Sequence, residues 1–225
     1  MSEPNSPAMP LVALAMSFKT LLVVANLIAV KPIGIGTWVL PASIIAYPFT
    51  FLVTDTISEL YGRKVVSRIV WYGFGLSVAM VILIYIAKIL PGAGFWESQD
   101  AYDAILGSVP RIVLGSQIAY IASQNSDVFI FHYVRRLTNG RHLWLRNNAS
   151  TTVSQAIDTV LFISIAFGGT VPLATLGTMI LTQYVAKVCI AAVDTPLVYA
   201  LVGAIRSGSR SDGHRPESAT ARVQG

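Results

Sequence analysis

Charge is what this 225-residue chain has least of. Asp, Glu, Lys and Arg make up 12% of it, while 54% is hydrophobic; a soluble globular domain carries about 25% charged residues. So little polar surface would not keep the chain dissolved, and the composition is that of a membrane protein. Cysteine is almost absent as well. Cys189 stands alone, which excludes an internal disulfide framework and a Cys-based zinc site, and within its apolar run it reads as a small packing residue. No GxxxxGK[ST] loop, HExxH or GxSxG occurs, so ATP hydrolysis through a phosphate loop is excluded and no nucleophile stands beside a base. His132, His142 and His214 are not spaced as a metal site. The expectation is a protein that is not an enzyme, with no cofactor and no metal.

Long hydrophobic runs are plentiful. A transmembrane helix needs about 20 mostly apolar residues, and spans are expected at 11–30, 38–60, 68–90, 110–134, 149–168 and 173–205. The fold class is therefore an all-α integral membrane protein with six helices. Residues 1–10 form a short tail without a signal-peptide pattern, 11–205 the membrane domain, and 206–225 a Ser-, Gly- and Arg-rich disordered tail. The second span follows a Lys31–Gly36 turn and contains Pro41 and Pro48, so a kink or broken turn is expected within it. Ala25-x-x-x-Ala29 and Gly73-x-Gly75 are small-residue spacings that permit close helix contact.

The net charge of +5 is distributed in a way that sets orientation rather than recognising nucleic acid. Arg63, Lys64 and Arg68 follow span two, Arg135, Arg136, Arg141 and Arg146 follow span four, and four arginines occupy the tail. The alternate connections carry few bases, and the third holds Glu97, Asp100 and Asp103. Positive segments stay in the cytoplasm, which places both termini inside. The third connection, with Phe95, Trp96 and Tyr102, is expected to lie at the outer interface.

Costly polar groups interrupt the spans. A charged side chain at mid-membrane costs about 2.5–3.5 kcal/mol on insertion scales and is tolerated where it faces a bundle interior or a wet cavity. Asp55 and Glu59 are four apart on span two, Gln124 and Asp127 three apart on span four, and Gln155 and Asp158 three apart on span five, after Ser150. Gln183, Lys187 and Asp194 form one stripe on span six, and Lys19 and Asn26 share a face of span one. Such spacings put each set on one helix face. Asn26 and Gln117 read as interhelix hydrogen-bonding groups, and Lys187 has Asp158 or Asp194 as a charge partner. Ser-Gln-x-x-Asp occurs twice, at Ser123–Asp127 and Ser154–Asp158, an echo compatible with an inverted repeat. The candidate substrate-binding residues are Asp55, Glu59, Gln124, Asp127, Asn148, Ser150, Gln155, Asp158, Gln183 and Lys187. An amide beside a carboxylate supplies donor and acceptor together, which suits a heterocycle with an N–H edge and a carbonyl.

Three blocks resemble the VUT family of queuosine precursor transporters. They are Asp55-Thr-Ile-Ser-Glu59-Leu-Tyr61-Gly62-Arg63-Lys64 with Gly73-Phe74, then Ser123-Gln124-x-x-Asp127 with Phe129-Ile130-Phe131. The third is Leu143-Trp144-Leu145-Arg146-Asn147-Asn148-Ala149-Ser150-Thr151, running on to Ser154-Gln155-Ala156-Ile157-Asp158-Thr159 and Phe162. The similarity covers residues 18–205. It implies a multi-pass protein of the bacterial cytoplasmic (inner) membrane that imports 7-cyano-7-deazaguanine or its 7-aminomethyl relative, deazapurine precursors of a transfer-RNA base. By matching motif it also points to Trp144, Arg146 and Asn147. Asp127 or Asp158 would accept from the ring N–H and exocyclic amine, and Gln124 or Gln155 would complete the edge. Alternative readings are a substrate-binding subunit of a multi-component vitamin-type importer, with Ala25 and Ala29 on its docking face, and a non-transporting protein with a polar core. The expected partners are the substrate and the lipid bilayer, and no nucleic acid. A homo-oligomer and a coupling ion are both compatible with the sequence, which identifies neither.

Overall fold

The computed structural model describes residues 8–138 and 143–212. Among the described residues the regular elements are helices except for one hairpin. It begins with helix α1 (Ala8–Ile28), followed by strands β1 (Pro32–Ile35) and β2 (Trp38–Pro41) and a 3-10 turn, Ala42–Ile45. Helices α2 (Tyr47–Tyr61), α3 (Arg63–Ile89), the short α4 (Gln99–Leu106), α5 (Val109–Leu137), α6 (Leu143–Phe167) and α7 (Leu173–Asp212) complete it. The stretch 213–225, most of the tail expected to be disordered, lies outside the described residues, as do the side chains of Trp144, Arg146 and Asn147.

Among the described residues, five stretches are long and apolar enough to cross a membrane: Met9–Ile28, Arg63–Ile89, Gln99–Leu137, Asn148–Phe167 and Leu173–Ala191. The continuous span expected at 38–60 is corrected. Its first residues are strand β2 and a 3-10 turn, and α2 is a 15-residue helix. At 1.5 Å per residue α2 is about 22 Å long, short of the roughly 30 Å hydrocarbon core. The two prolines explain the break. Pro41 has no N–H for a helical bond and sits at the open end of the hairpin, opposite Pro32. Pro48 falls in the first turn of α2, where a missing N–H costs nothing. Ile35 pairs with Trp38, leaving Gly36-Thr37 as a two-residue turn. Gly36 at φ 63 supplies the positive angle that such a turn requires. Ala42 N donates to Lys31 O at 2.9 Å and closes the hairpin's base.

Two apolar cores divide the helices three and three. Phe18 of α1, Val53 and Ile57 of α2, and Ile69, Val70 and Phe74 of α3 form one. Ile112 and Ala119 of α5, Phe162, Ile163, Ala166 and Phe167 of α6, and Met179 of α7 form the other, joined by Ala29. Ala29 is thus spent on an internal contact rather than a docking face. A Cβ on Gly73 would meet Leu22 at 2.9 Å and Phe18 at 3.6 Å, so this glycine lets α3 approach α1. Gly75 has nothing within 4 Å and makes no such contact. Asn26 Nδ2 donates to Ser77 Oγ at 3.4 Å and Gln117 Nε2 to Phe74 O at 3.4 Å, the interhelix hydrogen bonds expected of them.

Arg111 near the start of α5 closes the other end of α6. Its Nε donates to Ile165 O at 2.5 Å and its Nη2 to Gly168 O, satisfying carbonyls that a helix C-terminus leaves unpaired. The third connection contributes α4, where Gln99 Nε2 donates to Asp103 Oδ1 at 3.2 Å and Lys88 Nζ lies 4.0 Å from the same oxygen. All residues of α4 are exposed or half-buried, so this pair contributes little to stability.

Candidate functional site

Two of the most buried polar side chains, Gln183 and Lys187 of α7, lie where α7 meets the start of α2, from the first core, and Asp158 of α6. Lys187 of α7 is 1% exposed and its Nζ lies 2.5 Å from Asp158 Oδ2 on α6, a carboxylate side chain 21% exposed. An ammonium so enclosed requires a partner, and Asp158 is that partner rather than Asp194. The same Nζ sits 4.8 Å from the centroid of the Tyr47 ring, a cation–π contact that strengthens where water is excluded. Tyr47 is the first residue of α2, so the helix break delivers its ring to the ion pair.

Gln183 lies one turn before Lys187 on α7 and is 1% exposed. Both atoms of its amide, Nε2 and Oε1, lack a hydrogen-bond partner among the described residues. The Tyr47 hydroxyl is near Gln183 and Lys187, but not at a geometry that satisfies the amide. Ser43 of the 3-10 turn, 3% exposed, also has an unpaired Oγ. An orphaned buried polar atom costs about 1–3 kcal/mol, and such atoms require an explanation. The neighbour of Gln183, Thr182, is by contrast satisfied. Its Oγ1 donates to Val39 O of β2 at 2.5 Å and lies 2.8 Å from Thr178 O in its own helix. This bond fixes the hairpin against α7 immediately beside the unpaired amide. Irregular backbone at membrane depth is tolerated where it is buried in protein or lines a water-filled cavity.

Of the residues expected from sequence, the structure therefore brings together Asp158, Gln183 and Lys187. Asp55 lies lower on α2, within the field of Asp194 and Arg63, and Glu59 is exposed one turn further on. Gln124 is exposed on α5, away from the cluster. Asp127 accepts from Ser154 Oγ at 3.5 Å, so the repeated Ser-Gln-x-x-Asp blocks meet across the α5–α6 contact. Asn148 is exposed near the start of α6, Ser150 is buried on the same helix and Gln155 is half-buried. Ser43 and Tyr47 are missed by sequence reasoning. The signal for both was the Pro41–Pro48 window, because broken helices in carriers bring polar groups to the site.

Chemically, the cluster offers an amide with donor and acceptor side by side, an aromatic face, and a carboxylate and ammonium that neutralise each other.

A family profile described as "Putative vitamin uptake transporter" matches residues 41–201. The chain is 33% identical over 190 residues to the "Probable queuosine precursor transporter" of Bacillus subtilis (strain 168), covering 84% of this chain and 83% of that protein. It is 32% identical over 122 residues to the "Queuosine precursor transporter" of Escherichia coli (strain K12), covering 54% of this chain and 52% of that one. A Haemophilus influenzae relative, named "Probable queuosine precursor transporter", is 28% identical over 123 residues, covering 55% and 50%. No solved structure matches the chain significantly. With the match extending over most of the chain and five apolar helices long enough to span, the protein is a multi-pass bacterial membrane protein that belongs to the vitamin uptake transporter family.

Proposed function

We propose that the protein imports deazaguanine precursors of queuosine, 7-cyano-7-deazaguanine or 7-aminomethyl-7-deazaguanine, across the bacterial cytoplasmic membrane. The unpaired, fully enclosed amide of Gln183 beside Tyr47 and the Lys187–Asp158 pair carries this reading. A deazaguanine presents a carbonyl next to a ring N–H, the complement of a carboxamide, and a flat face for an aromatic ring. Recognition of a free base by edge hydrogen bonds and stacking follows the same chemistry as an extruded nucleotide base. Because Asp158 and Lys187 neutralise each other, the site suits the uncharged guanine-like ring edge that the cyano and aminomethyl bases share.

The placement of the cluster between the two three-helix cores suits a carrier whose halves rock about a fixed site, as in small secondary transporters. In this reading the hairpin and α2 together make a sixth crossing. Both termini lie in the cytoplasm, with α4 and the hairpin toward the outside, in keeping with the positive segments after α2 and α5. The names of the relatives support the substrate class.

The test is restoration of queuosine in transfer RNA in cells that neither make nor import its precursors. Expressed alone, the protein should restore the modification with the cyano or aminomethyl base at low external concentration. Failure with both bases, at normal membrane abundance, overturns the proposal.

A further inference from the structure

A second polar rung lies below the first on the same two helices. Contacts run in the same order along both segments, Val39 of β2 with Thr182, Tyr47 of α2 with Lys187, and Asp55 in the field of Asp194, so the segment from β2 through α2 runs parallel to α7. Asp55 is eight residues beyond Tyr47 and Asp194 seven beyond Lys187. At 1.5 Å per residue those steps are about 12 and about 10.5 Å, which sets the two carboxylates level with each other. Asp55 does lie in the field of the Asp194 carboxylate.

The two differ in access. Asp194 is 3% exposed, and its Oδ1 is enclosed without a partner. Asp55 is exposed. The other charged groups on the elements packed here are few. Arg63, at the head of α3, acts on Asp55 alone, and Glu59 is one turn further along α2. Lys187 is engaged with Asp158 of α6, and Lys19 of α1 lies over the Tyr72 ring at 5.2 Å. Among the described residues no hydrogen-bond partner reaches the enclosed oxygen of Asp194. Opposed carboxylates hold one proton between them in preference to two bare charges, and intramembrane acids commonly serve as proton relays.

We propose that Asp55 and Asp194 form a proton-binding pair that couples substrate import to the proton gradient, with Asp55 as the exposed member that exchanges the proton and Asp194 as the sealed holder. One proton is taken up by the pair from outside and released inside for each substrate carried. This rests on the transport reading above but concerns a different part of the molecule from the substrate cluster.

Full-length protein in liposomes, with 7-cyano-7-deazaguanine as probe, tests it in two arms. Substrate-for-substrate exchange without a gradient reports carrying alone. Accumulation under an imposed gradient, acid outside, reports coupling. One pH unit corresponds to about tenfold accumulation at one proton per substrate. Wild type should exchange, should accumulate until a protonophore is added, and should alkalinise the outer medium when substrate is supplied. Asp194→Asn should exchange but not accumulate, and Asp194→Glu should recover accumulation. Exchange by wild type without accumulation or proton movement, accumulation driven by a sodium gradient instead, or full accumulation by Asp194→Asn overturns the coupling proposal and leaves the transport reading intact. Absence of exchange by wild type overturns both.

Discussion

Lys187 and Asp158 meet at 2.5 Å across the α6–α7 contact, with the lysine side chain 1% exposed and the aspartate 21%. The pair occupies the position where the α2 helix start also arrives. Its enclosure means that each member is held in place by the other, and that either one left alone becomes an uncompensated charge.

Asp158→Ala should therefore destabilise the protein by about 3–5 kcal/mol, because it strands the Lys187 ammonium. The double variant Asp158→Leu with Lys187→Met should regain most of that loss, since apolar replacement of a buried pair is often neutral or stabilising. Thermal unfolding in detergent measures both. Uptake should be lost in each. Wild-type uptake by the double variant would remove the pair from the substrate site.

Gln183→Leu separates a site residue from a structural one. A merely structural amide would be missed, whereas Gln183 has no hydrogen-bond partner among the described residues to lose, so thermal stability should be unchanged or higher. Substrate hydrogen bonds worth about 1–3 kcal/mol would disappear, which is a roughly 5- to 150-fold loss of affinity. A fall in melting temperature with unchanged binding would contradict the assignment.

Thr182→Val keeps the shape but removes the hydroxyl that holds Val39 O. The stranded carbonyl should cost about 1–3 kcal/mol, confined to the hairpin. Amide hydrogen exchange over residues 38–45 should accelerate while that of α5 and α6 stays unchanged. Equal protection of the hairpin in both proteins would show that the bond does not fix it.

Orientation is open to direct labelling. Phe95 is 87% exposed in the connection before α4. In a Cys189→Ser background, Phe95→Cys should react with a membrane-impermeant maleimide added to whole cells. A fluorescent protein fused after Gly225 should fold, and alkaline phosphatase fused there should stay inactive. The reverse pattern would place the termini outside.

Much of the fold was legible because the membrane imposes it. Runs such as those in α3 and α5 are long and apolar, and lipid leaves a chain no way to satisfy its backbone there other than a helix or a closed barrel. Pro41 and Pro48 announced a break but not its form, since a missing N–H shows where a helix stops and not what replaces it. The site was legible in part. Lys187 needed a carboxylate on charge grounds, yet the sequence allowed Asp158 or Asp194 equally. Gln124 and Gln183 looked alike as amides in apolar runs, and only one of them is enclosed.

Local chemistry thus determined what each segment is: apolar length made helices, and prolines interrupted one of them. Tertiary structure alone decided which polar groups face one another. That pairing depends on helix rotation and on the register between helices distant in the chain, which no spacing within a single helix encodes. It put Tyr47 with Gln183 and Lys187, left Gln124 exposed, and set Asp55 level with Asp194.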